Sequence, residues 1–193
     1  TSSPFDVRMS FFTAICSSRP SGLERRYSSY ARQLRECVSK TETATCINNL
    51  ITDLKGSIPS YEVYLEEFCK KGYTSTREKE KKLIQYILKK IERYYSTEEL
   101  IPNSFTIEHI LPESVATNYV GMIGNLLPLG ENINSSLSNK KFVAKMQQYP
   151  ESQYVTVQKF VEENKENAIW GEKEIRKRTE QLGKILYDNI IEG

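Results

Sequence analysis

The sequence predicts an α+β fold that is mostly helical, with a small strand-bearing unit set between two helical regions. Two observations carry this. Apolar residues recur three to four apart through the first hundred residues and again through the tail, as helices that bury one face require. Between them, from about residue 104 to 139, that pattern breaks into β-prone stretches punctuated by proline, glycine and asparagine.

Taken in order, residues 23–38 place Tyr27, Tyr30, Leu34 and Cys37 on one helical side. Residues 47–54 are a shorter helix, ended by Gly56 and Pro59. Ser60 can cap the next helix, with Glu62 in its first turn, where negative charge suits the helix dipole. Tyr61, Tyr64, Leu65 and Phe68 form its apolar side. Residues 75–95 are the clearest helix: Ser75 and Glu78 have capping-box spacing, and Leu83-Ile87-Ile91 and Ile84-Leu88-Tyr95 form a broad inward stripe. Pro102 lies beyond its end.

Residues 104–110 then have strand propensity, stopped by Pro112. A polar loop runs through Gly121 and Gly124 to the apolar Leu126-Leu127-Pro128-Leu129, where a proline belongs only on a sheet edge. Residues 132–139 are an Asn/Ser-rich turn. A helix begins over 142–146 and stops at Pro150, with further helical pattern over 154–161 and 172–190. The expected organisation is a helical region over 1–100, a central unit over 101–150 and C-terminal helices over 151–193, all within one compact domain.

Composition sets the frame. At 193 residues, 38% hydrophobic and 27% charged, the chain can bury one ordinary core and reads as soluble and globular. No apolar run approaches the roughly 20 residues a membrane helix needs. The start, Thr1-Ser2-Ser3-Pro4-Phe5, has no initiator Met and no signal-peptide pattern, which suggests a piece of a longer protein. A net charge of +2 does not by itself argue for nucleic acid. Residues 70–93 carry nine Lys or Arg against Glu78, Glu80 and Glu92, a pattern that a solvated helix face also explains. Cys16, Cys37, Cys46 and Cys69 form no C-x-x-C pair, which disfavours a zinc finger and leaves buried thiols as the expectation, with disulfides open.

The chemistry gathers around the single histidine. His109 ends the predicted strand beside Glu108, and a regular strand sends the two to opposite faces. Gly124-Asn125-Leu126 follows, then Leu129, then Asn134, then a helix bearing Lys140, Lys141 and Lys145. Each has a bland reading as well. A lone His is often structural, Glu108 can be a solvent-facing carboxylate, and Asn125, Asn132, Asn134 and Asn139 can close turns or cap helices. Lys145 can be a solvated charge.

The ordered run resembles the HNH (His-Me finger) endonuclease motif: an acid-His pair, I-x-P, an N-L, a leucine, and a terminal His or Asn before a basic helix. More narrowly, I-E-H-I-L-P-E-S, I-G-N-L-L-P-L and N-S-S-L-S-N-K-K-F-V-A-K resemble the C-terminal nuclease domain of GmrSD-like modification-dependent restriction enzymes, bacterial anti-phage proteins. The tail around Trp170, Ile175 and Arg178 is similar too, less specifically.

That resemblance implies a ββα-metal unit over 101–150 and a metal-dependent DNA endonuclease, the effector of a restriction system. It makes His109 the general base, Glu108 and Asn134 the ligands of Mg²⁺ or Mn²⁺, and Asn125 the residue that holds the loop and orients His109. Lys140, Lys141 and Lys145 become DNA contacts. It further implies an NTPase-like N-terminal domain outside this sequence and a bacterial cytoplasmic location. The residue types suit phosphodiester hydrolysis, because an imidazole titrating near pH 6.5 can act as a base at neutral pH. The alternative is a catalytically inactive DNA-binding or protein-interaction helical module.

Overall fold

A computed structural model describes residues 4–16, 22–96 and 104–192. Pro102, the expected helix stop, and Thr1, Ser2 and Ser3 at the start lie outside them. The chain divides into two compact units, residues 1–64 and 65–193.

The first unit is helical. It holds α1 (Pro4–Cys16), α2 (Leu23–Glu36), α3 (Lys40–Lys55) and the start of α4 (Tyr61–Cys69). Phe11, Phe12 and Tyr64 are buried and meet edge-on or tilted, with ring centroids 5.6–6.2 Å apart. Helix α3 begins seven residues before the apolar stretch that predicted it. The reason is local capping at its start: Ser39, the N-cap, accepts the Glu42 amide on Oγ at 3.1 Å, and the Glu42 carboxylate accepts the amide of the preceding Val38 at 2.9 Å.

The second unit carries α5 (Lys81–Tyr95), β1 (Thr106–His109), β2 (Leu126–Leu129), α6 (Glu131–Leu137), α7 (Phe142–Met146), α8 (Val155–Asn164) and α9 (Glu172–Glu192). The α+β expectation therefore stands at the level of many helices and one small sheet. Strands β1 and β2 pair antiparallel, Thr106 opposite Leu129 and His109 opposite Leu126. Pro128 faces Ile107 in a two-stranded sheet, where a missing N–H can point away from the partner strand.

Three local expectations change. The helix expected from residue 75 starts at Lys81 after a short 3₁₀ turn, because Ser75 bonds elsewhere. The Asn/Ser-rich turn is mostly α6. Glu92, which reads as a solvent charge on α5, is 4% exposed and caps α8: its two carboxylate oxygens accept the Val155 and Thr156 amides at 2.8 and 2.9 Å.

The core around the sheet joins Ile110, Leu127, Leu129, Phe142, Phe160 and Trp170. Helix α9 docks on the turn that leads into β2. Gly124 permits this: a Cβ there would lie 2.0 Å from the Ile175 carbonyl oxygen, so no larger residue fits. Thr179 Oγ1 accepts the Gly124 amide at 3.0 Å, and Arg178 gives hydrogen bonds to the Gly124 and Leu126 carbonyls at 2.7 and 3.1 Å. Burial lowers the Arg178 pKa to about 10, so it stays charged at neutral pH. All four cysteines are free thiols, Cys46 buried and the others half-buried.

Candidate active site

Strand β1 sends Glu108 and His109 to opposite sides, as alternation requires. His109 is 9% exposed and lies against Tyr73, ring centroids 5.8 Å apart. Its Nε2 is 2.8 Å from the Tyr73 carbonyl oxygen and 3.3 Å from Glu113 Oε1. A carbonyl oxygen can only accept, so Nε2 must carry the proton. In the neutral ring the lone pair available to a reactant therefore sits on Nδ1.

The Tyr73 carbonyl reaches His109 because two segments meet with no side chain between them. Gly72 bridges Met122, the Tyr73 amide bonds the Gly121 carbonyl at 2.9 Å, and a Cβ on Gly72 would stand 2.3 Å from Gly121 O. Glu113 closes the arrangement. Its carboxylate accepts the Ser75 amide at 2.9 and 3.1 Å and the Ser75 hydroxyl at 2.6 Å. Glu113 also lines a groove of about 700 Å³ with Lys70, Arg77, Thr117 and Arg176.

Glu108 lies on the other side. It is 4% exposed, and its Oε1 accepts the Lys145 ammonium at 2.6 Å and the Tyr149 hydroxyl at 3.0 Å. Lys145 is wholly buried, so it does not present its charge to DNA as expected; it sits under β1 as the partner of Glu108. Burial and the adjacent Glu108 carboxylate hold the Tyr149 phenol well above its ordinary pKa. Lys140 and Lys141 are exposed at the start of α7, with Lys140 bonded to Gln148 at 3.0 Å.

Asn125 is wholly buried and uses its amide fully. Its oxygen accepts the Leu111 amide at 2.7 Å and the Trp170 indole N–H at 3.1 Å; its nitrogen gives to the Leu111 and Val120 carbonyls at 2.9 and 2.7 Å. It ties the loop between the strands to the tail, and no hydrogen bond joins its side chain to the His109 ring. Asn134, on α6, turns its amide nitrogen to Thr106 Oγ1 at 2.8 Å, and no hydrogen bond joins it to Glu108.

Residues 58–185, more than half of the chain, match the family model described as GmrSD restriction endonucleases, C-terminal domain. The chain belongs to this family. No curated protein and no solved structure matches it. Membership in the GmrSD family makes the chain a nuclease of restriction-endonuclease type, with DNA as the implied substrate and a divalent metal ion as the implied cofactor. No helix among the described residues is long and apolar enough to cross a membrane.

Glu108, one of the two expected metal ligands, does not fit that ion in this arrangement. Glu108 Oε1 already accepts from an ammonium and a phenol, and a second cation there would meet Lys145 at close range. Among the described residues no cluster of three or more His, Cys, Asp or Glu is shaped to hold a metal. The residues missed from sequence are Tyr73, Ser75, Glu113 and Tyr149. Glu113 stands four residues after His109 in I-L-P-E-S, while the cap spacing of Ser75 with Glu78 points away from its bond to Glu113.

Proposed function

We propose that this GmrSD-family domain is an HNH-type DNA endonuclease whose general base is His109 in its Nε2-protonated form, serving as the effector of a restriction system. One observation carries the reading: the Tyr73 carbonyl, 2.8 Å from Nε2, fixes which nitrogen is basic. Nδ1 takes the proton of a water as its oxygen attacks phosphorus and the opposite P–O bond breaks. Glu113 lies beside the same ring, its Oε1 3.3 Å from Nε2. The metal ion of the family supplies charge stabilisation at the phosphate when bound. Asn134, with an amide oxygen that takes no hydrogen bond among the described residues, stays a candidate ligand. Modified DNA is the substrate class to test first, on the family resemblance.

The DNA backbone runs, on this reading, through the groove beside Glu113. Lys70, Arg77 and Arg176 line it, each held by a neighbouring glutamate in an exposed or half-exposed pair. Such pairs are worth only about 0–1 kcal/mol, so phosphate can displace them. One observation favours the other reading, a binding module without catalysis: the acidic position of the motif is consumed by Lys145. Plasmid cleavage with and without Mg²⁺ separates the two. Replacing His109 by Ala should leave folding and DNA binding intact and lower the rate by about 10²–10⁴. Wild-type cleavage by that variant would refute the assignment.

A further inference from the structure

The Glu108–Lys145 pair is buried to 5% and 1% side-chain exposure, 37 residues apart in sequence. Burying two charges brings little net stability, because desolvation offsets the attraction and apolar residues of similar size often do as well. What apolar residues could not do is bond the backbone. Lys145 Nζ gives a second hydrogen bond, at 2.6 Å, to the main-chain carbonyl of His109. The next amide, Ile110 N–H, bonds the Asn125 carbonyl at 2.9 Å. The peptide between His109 and Ile110 is thus held at both its oxygen and its nitrogen, while the imidazole is held by Tyr73.

We propose that Lys145 is a positioning residue for His109, and that Glu108 is its buried counter-ion rather than a metal ligand. The ammonium fixes the peptide plane from which the imidazole projects. Glu108, itself bonded by Tyr149, keeps that ammonium aimed in a dry site. This rests on His109 being the base, so its test needs a readout independent of cleavage. The single histidine supplies one, since its imidazole ¹⁵N resonances need no assignment and report the tautomer.

The variants are Glu108→Gln, Lys145→Met and the double replacement Glu108→Met with Lys145→Met, made in the full chain. The measurements are thermal unfolding, imidazole ¹⁵N shifts, and plasmid cleavage as a function of DNA and Mg²⁺ concentration. Lys145→Met leaves a buried carboxylate without its cation and should unfold at lower temperature. The double variant should regain part of the lost unfolding temperature, the Tyr149 hydroxyl having lost its acceptor, yet its imidazole should average between tautomers. Its kcat should stay at least about tenfold down, with KM for DNA unchanged. Glu108→Gln should leave the Mg²⁺ concentration for half-maximal rate within about twofold. A rise of about 10–100-fold in that concentration would make Glu108 a metal ligand and overturn the proposal. So would a double variant with a wild-type imidazole spectrum, or one that does not fold, which would assign the pair to folding alone. If wild type and His109→Ala cleave alike, or neither cleaves, the nuclease reading fails, and the ¹⁵N spectra still decide the clamp.

Discussion

The two ring nitrogens of His109 have different surroundings, and the proposed role of its ring as a base rests on that difference. Nε2 faces two acceptors, Tyr73 O and Glu113, whereas Nδ1 takes no hydrogen bond among the described residues. Below the sheet, Tyr149 shows how the same strand shapes a different residue. Its phenol pKa is raised above 10.0, first by burial and then by the Glu108 carboxylate. A folded-state pKa above the unfolded one contributes stability that is fully present below the unfolded value and lost as pH rises through the folded one. Thermal unfolding followed from pH 8 upward should therefore show stability falling above about pH 10. Tyr149→Phe should make that fall shallower, at the expense of about 1.5–3 kcal/mol at neutral pH from the lost charge-assisted hydrogen bond. Parallel alkaline profiles for the two proteins would remove Tyr149 from this account.

At the scale of elements, the strand pair is short, and its connecting loop rather than its ladder needs the support. Asn125 gives that support through four hydrogen bonds, one reaching Trp170 just before α9. Replacing it by Ala would strand two buried donors and two carbonyls, each worth about 1–3 kcal/mol when unsatisfied. Asn125→Ala should lower stability by at least about 3 kcal/mol in urea titration, and it should loosen the loop that carries Glu113. A variant within about 1 kcal/mol of wild type would mean water or a rearranged loop replaces the amide. Asn125 could be named from sequence because the run G-N-L follows the strand; that its bonds go to the loop and to Trp170 could not, because those partners lie 14 and 45 residues away.

At the scale of the whole molecule, net charge is too small to argue for DNA, and the proposed function rests on local placement of charge. The groove beside Glu113 gathers basic residues from two separate stretches, Lys70 and Arg77 near α4 and Arg176 on α9. Binding to duplex DNA should weaken with salt on any sequence, and Arg176→Glu should lower the slope of log K against log salt by about 0.9 for each phosphate no longer neutralised. Equal slopes for wild type and variant, with unchanged affinity, would move the DNA path elsewhere, Lys140 and Lys141 being the next surface to alter.

Helix periodicity, the strand holding Glu108 and His109, and the order of the motif were legible in the sequence, because they depend on spacing along the chain. So was the family, which is written in the same ordered run. The direction each polar side chain takes was not. Alternation put Glu108 and His109 on opposite faces, but only packing decided that α7 covers the Glu108 face and that Lys145 turns inward to neutralise it. Likewise Ser75 carried a cap signature, yet the close approach at Gly72 and Gly121 brought it to Glu113, 38 residues on. Local propensity is set by neighbours in sequence; the partner of a buried charge is set by which surfaces the fold closes together, where desolvation makes an unpaired group too costly to leave.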